Sequence, residues 1–203
     1  KETQVRDLMH MRMPRLIKDD QFMYLDTNTR RNLEIEASMR DGSKYATLLW
    51  VLDNTCTAGG ARLLRSWVRL PLQNKSEIEK RQDMIESLVK NPAIMTELKL
   101  ALDQIQDIER IVGKISYGNV MPKDCLALAY SLENAPKVKT ALINSNQKDL
   151  INLADALVDT TALSNLILSA IKENPPAILK DGDYIKDGFN SDLDEQRHMK
   201  DTV

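Results

Sequence analysis

Apolar residues recur at intervals of three and four along most of this chain, with polar and charged residues between them. The longest regular stretch runs through Ile94, Leu98, Leu102, Ile105, Ile108, Val112 and Ile115. Such spacing is typical of an amphipathic α-helix. It predicts one sustained helix from Ala93 to Ile115, closed by the sequence Tyr117-Gly118-Asn119.

Shorter segments with the same period predict the remaining helices. Several begin after a side chain that can accept hydrogen bonds from the free amides of a first turn, namely Asp26, Ser43, Thr57 and Ser76. Pro14 and Pro136 are expected to end helices. The other predicted helices cover residues 29–39, 44–52, 58–69, 77–90, 122–136, 137–143, 150–157 and 162–171, and a last one opens at Ser191.

Near the C-terminus the period changes. Residues 177–190 (AILKDGDYIKDGFN) alternate apolar and polar around Asp181-Gly182, which is a turn signal. Two very short strands are expected there, and residues 23–25 are a further short strand or a buried connector. The predicted fold class is therefore all-α, an irregular multi-helix core with a very short β-hairpin near the C-terminus.

The stretch from Tyr24 to Leu72 holds both tryptophans of the chain. Helical spacing places Trp50 on one predicted helix and Leu63, Leu64 and Trp67 on the next. Two interpretations are open, a binding platform and a packed core, and the apolar stripes favour the core. We call these four residues the hub and predict that they form a structural packing centre.

Composition narrows the functional classes. Of 203 residues, 42% are hydrophobic, which supports a core, and a net charge of −2 disfavours a free-standing nucleic-acid binder. Cys56 and Cys125 lie far apart, in no disulfide or zinc spacing. No apolar run is long enough for a membrane span and no signal peptide is visible, so a cytoplasmic protein without membrane partners is expected. The chain begins with Lys1, which suggests a piece of a longer protein.

No set of residues suggests catalysis, and we predict no catalytic, metal-binding or cofactor-binding residue. Arginines at positions 62, 65 and 69 form a phosphate-binding ridge, a solvated face, or structural ion pairs with Asp53 or Asp26, and the negative net charge favours the pairs. Asp107, Glu109 and Arg110 are interpreted as an ion-paired helix face, because no histidine or cysteine stands near them.

Several short motifs follow one another in a fixed order. They are a run LD-x-x-T-x-RNLE from Leu25, a run LD-x-T-x-T-x-x-G-x-R-x-L-x-x-W-x-x-x-P from Leu52, I-x-x-R from Ile78, D-x-ER from Asp107, P-x-D from Pro122, and PP-x-x-x-x-DG-x-x-I-x-x-GFN-x-x-LDE-x-R from Pro175. In this order they resemble the core domain of MutS-type DNA mismatch repair proteins of the bacterial type. The resemblance extends from near Lys1 to the end of the chain.

The resemblance implies a helical core at residues 1–190 and, at residues 191–203, the root of a lever helix that leads to a DNA-gripping clamp. Gly188, Asn190 and Ser191 would form this lever root, and the turns at Asp181-Gly182 and Asp187-Gly188 would fix the angle at which the helix departs. The longer parent would be an ATPase that uses ATP and Mg. Its implied partners are mismatched duplex DNA, a MutS dimer partner and MutL, in the cytoplasm and at the nucleoid.

Three features limit what the resemblance implies. The mismatch-reading Phe-x-Glu of the family and the P-loop pattern are both missing from this sequence. Gly59 stands where the family usually has a large apolar residue, so position 59 is either outside the helix or locally loose. The alternatives are the same domain in a MutS relative that acts in recombination, and an independent helical scaffold for protein interactions.

Overall fold

The computed structural model of the protein describes residues 21–176 and 179–201, and its regular structure is almost entirely helical. The all-α prediction is confirmed. The α-helices are α1 (Thr27–Asn32), α2 (Leu48–Leu52), α3 (Ala58–Arg69), α4 (Lys75–Lys90), α5 (Pro92–Asp103), α6 (Ile108–Tyr117), α7 (Pro122–Asn144), α8 (Lys148–Asp155), α9 (Thr161–Ala170) and α10 (Ser191–Asp201), with a 3₁₀ turn at Leu179–Asp181. The helix expected before Pro14 lies outside the described residues.

Three local signals placed helix ends correctly. The Thr57 hydroxyl accepts the amide of Gly60 at 3.0 Å and opens α3. Gly118 closes α6 in the left-handed conformation, with φ 72°, which costs glycine no steric strain. Pro122 occupies the first turn of α7, where its missing N–H group does no harm. Gly59 lies inside α3, so of the two alternatives for this position the one outside the helix is wrong.

Other predicted ends are wrong because a nearby side chain or backbone turn competes. α1 stops at Asn32 instead of residue 39, and Glu34 then turns the chain with φ 47°. α2 starts five residues after Ser43, with Thr47 as its cap. α4 is capped by Asn74, not Ser76, since the side-chain oxygen Oδ1 of Asn74 accepts the amides of residues 76 and 77.

The sustained helix predicted over residues 93–115 is two helices, α5 and α6. Between them the amide of Gln106 donates to the hydroxyl of the fully buried Ser131 at 2.9 Å, and Asp107 caps α6. Pro136 does not end a helix, because α7 continues through it to Asn144. The predicted helix at 137–143 is therefore the second half of α7.

The described residues contain no β-hairpin around Asp181-Gly182, so this part of the prediction is wrong. Ile185 instead forms an isolated antiparallel bridge with Ile171 at the end of α9. A second isolated bridge joins Phe22 to Leu72 beside the expected strand at 23–25.

α7 is the central helix, and it packs against α5, α6, α8 and α9. The main buried cluster consists of Leu142, Leu150 and Ala154, and partly buried side chains of α4, α5 and α7 surround it, namely Met84, Leu88, Leu98 and Val138. Burying apolar surface stabilises the fold by about 25 cal/mol per Å². Most of the buried apolar residues lie in the second half of the chain, so the interior of the described structure lies there. No helix in the described ranges is both long and apolar enough to cross a bilayer.

Candidate functional site

The hub residues are largely exposed. Trp50 is 47% exposed, Leu63 52% and Trp67 38%, while Leu64 is half-buried. The interpretation of the two tryptophans as core residues is wrong for this chain. The reason is that α2 has five residues and buries only Leu49, and α3 buries none of its residues fully.

Aromatic and cationic neighbours cover part of each tryptophan. The Trp50 ring lies 4.8 Å from the ring of Tyr45, centre to centre, at 60°. The guanidinium of Arg81 on α4 lies 3.8 Å from the centre of the Trp67 ring. Burial lowers the pKa of Arg81, but a guanidinium stays charged at neutral pH and attracts the ring face. Helices α3 and α4 are therefore joined by a cation–π contact.

The α3 arginines form ion pairs, as the favoured interpretation predicted, but with other partners. Arg62 makes two parallel hydrogen bonds to Asp107 at 2.7 and 3.0 Å, and its Nε donates to Glu109 at 2.9 Å. Arg69 donates to both oxygens of Glu36. The Arg62 guanidinium lowers the pKa of the Asp107 carboxyl. Planar pairing of this kind fixes α3 against the start of α6.

Asp53 and Asp26, the expected partners of these arginines, accept hydrogen bonds from other groups. Asp53 accepts hydrogen bonds from Lys44 at 2.6 Å and from Thr55 at 2.7 Å, and these bonds lower the pKa of its carboxyl. Asp26 caps α1 through the amide of Thr29. Both carboxylates therefore stabilise local turns instead of joining helices.

The predicted lever root, Gly188, Asn190 and Ser191, is a tight turn followed by a cap. Gly188 has φ 81°, and its amide donates to the Asp194 carboxylate at 2.8 Å. The side-chain oxygen of Asn190 accepts the amide of Leu193 at 3.0 Å, so Asn190 caps α10 and Ser191 is its first residue. The structure brings all three predicted lever-root residues together at the start of α10.

Arg197 is the centre of this region. Its Nη1 lies 2.6 Å from Asp187, and its Nη2 donates to the carbonyl oxygen of Ile185 at 3.0 Å. The same guanidinium lies 3.7 Å from Asp183 and 3.6 Å from Asp194. We call Arg197 and these three aspartates the Arg197 cluster. It connects the second turn of α10 to the loop that precedes the helix.

The loop is connected in turn to the helical core. Lys172 pairs with Asp183 at 2.6 Å and lowers the pKa of that carboxyl. Lys186 donates from its Nζ to the carbonyl oxygen of Leu168 in α9 at 2.7 Å. With the Ile171–Ile185 bridge, these contacts form a continuous path from α9 through the loop to α10. Sequence reasoning noted Arg197 only as the end of a motif, although a lone arginine after several aspartates was a usable signal.

Comparison with known proteins identifies the family of this chain. Residues 28–202 match the family model of MutS domain III. The chain belongs to the MutS domain III family. The sequence resemblance to MutS-type proteins is thereby confirmed.

Similar proteins agree with this assignment. The DNA mismatch repair protein MutS of Clostridium tetani is 44% identical over 98% of the chain, which covers 23% of that relative. The proteins of the same name in Bacillus cytotoxicus and Bacillus cereus are 41% and 40% identical over 97% of the chain, which covers 22% of each. This MutS domain III thus spans less than a quarter of the length of these relatives.

The described part of this MutS domain III contains no group of three or more His, Cys, Asp or Glu side chains that could hold a metal ion. Cys125 is half-buried, and burial raises the pKa of its thiol, which leaves it a poor nucleophile. The sequence has no P-loop pattern. The Arg197 cluster forms a charged connection at the base of α10.

Proposed function

We propose that this domain is the core and lever root of a DNA mismatch repair protein. In that role it couples an ATPase elsewhere in the longer protein to a clamp that grips DNA. Family membership and the names of the relatives support the repair setting. The single observation that carries the coupling role is the Arg197 cluster, which joins α10 to the core through charged contacts.

The coupling is a rigid-body movement. A helix changes its direction as a unit only if its first turns follow the body on which they rest. From the second turn of α10, Arg197 donates hydrogen bonds to the carbonyl oxygen of Ile185 and to Asp187. A rotation of the loop at residues 183–188 therefore moves α10 with it. Exposed ion pairs contribute about 0.2–1 kcal/mol each, and several sharing one guanidinium form a network.

The partners follow from this role. The longer protein binds mismatched duplex DNA, a MutS dimer partner and MutL, and uses ATP and Mg in its ATPase. The 203 residues of this chain contribute no catalysis and little DNA affinity of their own. A gel shift with these residues alone, showing tight and salt-sensitive binding of duplex DNA, would contradict this part of the proposal.

Coupling is testable in the full-length protein that carries this domain. The measured quantity is the ratio of the dissociation constants for a mismatched duplex with and without ATP. Arg197→Ala is expected to reduce this ratio about fivefold or more, within the usual range of allosteric coupling. Basal ATP hydrolysis and ATP-free duplex binding are expected to stay unchanged. Gly188→Val, which forces a β-branched residue to φ 81°, is expected to act in the same direction.

Lys80→Ala is the matched control, because it removes an ion pair to Glu77 at 2.6 Å on α4, away from the lever root. It is expected to keep the wild-type ratio. Unchanged coupling in both lever-root variants would overturn the proposal.

A second candidate, an independent scaffold for protein interactions, is favoured by the exposed apolar side chains of the hub. The same exposure is expected if the hub contacts other parts of a longer protein. Tryptophan fluorescence separates the two. In the full-length protein the hub tryptophans are expected to emit at shorter wavelength than in this chain alone. Equal emission would favour the scaffold.

The names of the cited relatives favour repair over the recombination alternative.

A further inference from the structure

A groove of about 510 Å³ lies between α1 and the loop at residues 36–42. Arg30 and Arg31 line it from α1, Arg69 lines it from α3, and Glu36 and Ser38 line it from the loop. This volume falls within the range of about 300–1,000 Å³ that is usual for small-ligand sites. Nothing in the lever-root geometry uses this groove.

The groove carries an excess of positive charge. Its one carboxylate, Glu36, already accepts two hydrogen bonds from Arg69, at 2.8 and 2.7 Å, and also lies 3.8 Å from Arg65. Arg30 makes a long hydrogen bond of 3.4 Å to the Thr27 hydroxyl. Neither Arg30 nor Arg31 is in an ion pair with a carboxylate of the described ranges. Two guanidinium groups thus face the groove with unused hydrogen-bonding capacity.

Asp26, which precedes the lining residue Thr27, does not remove this excess. Asp26 accepts the amide of Thr29 at 2.8 Å and its hydroxyl at 3.1 Å. These bonds, with a smaller contribution from the charge of Arg30, lower its pKa. Asp26 is therefore occupied as a helix cap. Glu34 is similarly occupied, because its carboxylate accepts the amide of Met39 at 2.6 Å.

We propose that this groove is a binding site for a phosphate group, with Arg30 and Arg31 as its ligands and Arg69 as a third, shared cation. The planar guanidinium presents its N–H groups in the geometry that phosphate oxygens accept in pairs. The phosphate belongs either to a DNA backbone or to a small phosphate compound. In both cases the site contacts only about one or two phosphates. The expected affinity is therefore weak, and its dependence on salt concentration is shallow.

The test is a titration of the 203-residue chain followed by NMR of the arginine Nε–Hε groups. Inorganic phosphate at constant ionic strength is expected to produce saturable shifts at Arg30 and Arg31. Arg31→Gln is expected to weaken the fitted affinity about tenfold or more, which corresponds to one lost charged hydrogen bond. Arg30→Gln is expected to do the same.

Arg110→Gln is the matched control, since it removes the same charge from an exposed position on α6 outside the groove. It is expected to leave the affinity unchanged. Linear, unsaturated shifts, or equal weakening by Arg110→Gln, would overturn the site and leave only a general charge effect. Circular dichroism of each variant checks that the helices persist.

A second arm separates the two sources. A short duplex that competes with inorganic phosphate, and binds more tightly at equal phosphate concentration, identifies a DNA backbone. Competition by a nucleotide without competition by the duplex identifies a small phosphate compound. Failure of both to compete, despite saturable phosphate shifts, would overturn the assignment to phosphate esters. The site is independent of the lever proposal, whose readout is the response of full-length protein to ATP.

Discussion

The region of α1–α3 and the bundle of α5–α9 are held together in different ways. In the bundle, Ala129, Ala141 and Ala154 are completely buried, and close helix contacts run along most of α7. In α1–α3 the buried apolar residues are Ile35 and Leu49, and the largest side chains are exposed.

Charged groups replace apolar packing in the first region. Arg62 joins α3 to Asp107 at the start of α6, and Arg69 joins α3 to Glu36. The difference teaches that large aromatic side chains do not mark the interior of this chain, while small residues do. It also means that the stability of the two regions is expected to respond differently to truncation of a side chain, to pH and to loss of a charge.

The largest expected loss of stability comes from a substitution inside the bundle. Leu142→Ala removes a side chain that is 8% exposed from the main buried cluster, and is expected to lower the free energy of unfolding by about 2–5 kcal/mol. Trp50→Ala, although it removes more atoms, is expected to cost about 1 kcal/mol or less, because the ring is already half in solvent. Urea unfolding of both variants measures the difference. A larger loss for Trp50→Ala would reverse the comparison.

The next effect tests the charged connection. Asp107→Asn keeps a side chain that can cap α6 but removes the charge facing Arg62, and is expected to cost about 1 kcal/mol at neutral pH. The folded pKa of Asp107 lies below its usual value of 3.8, so the stabilisation is present above that value. It is lost as pH falls through the folded pKa.

Urea unfolding of wild type and Asp107→Asn across pH 7 to 2 provides the measurement. The gap between the two curves is expected to shrink below about pH 4, because the carboxyl of the unfolded chain then takes up a proton, and to disappear once the folded carboxyl, whose pKa is lower, is protonated as well. A gap that is constant with pH would show that the lost free energy is not electrostatic.

A pair of glycines in α3 gives smaller effects of opposite sign. A Cβ at Gly59 would have only the tip of Arg62 near it, at 4.0 Å, so Gly59→Ala is expected to stabilise by up to about 1 kcal/mol. A Cβ at Gly60 would lie 3.0 Å from the Thr57 hydroxyl oxygen, so Gly60→Ala is expected to weaken the cap and destabilise. Melting temperatures of the two variants are the readout, and shifts of the same sign would refute the assigned geometry.

The smallest effect concerns the contact between α3 and α4. Arg81→Ala removes the cation over the Trp67 ring and is expected to cost about 0.5–1 kcal/mol. A change in the fluorescence of Trp67 is expected with it, while Arg65→Ala, with its weak 3.8 Å pair, is expected to leave that fluorescence unchanged. Equal fluorescence in wild type and Arg81→Ala would indicate that the contact does not persist in solution.

Local chemistry could be predicted from the sequence where one residue decides it. The Thr57 cap, the left-handed Gly118 and the first-turn Pro122 depend only on their neighbours in the chain. The break between α5 and α6 could not be predicted, because the partner of the Gln106 amide is Ser131, a residue of another helix. The regular apolar spacing crosses that break without a change.

The candidate site was only partly predictable for the same reason. The glycine and the cap at the lever root are local, and Gly188 and Asn190 were identified. The arginine that joins them to the core makes contacts with residues ten and twelve positions earlier, Asp187 and Ile185, and turn geometry alone decides such contacts. An amphipathic stripe also does not reveal whether its apolar face has a partner, which is why Trp50 was misplaced.

Asp183 shows how narrow the choice of side chain is at the lever root. Its backbone has φ 54°, a conformation that favours glycine, asparagine and aspartate. Its carboxylate pairs with Lys172 at 2.6 Å. Glycine would satisfy the backbone without the charge, and glutamate would supply the charge at the cost of backbone strain. Aspartate meets both demands at once, so each of these substitutions at position 183 loses either the charge or the backbone fit.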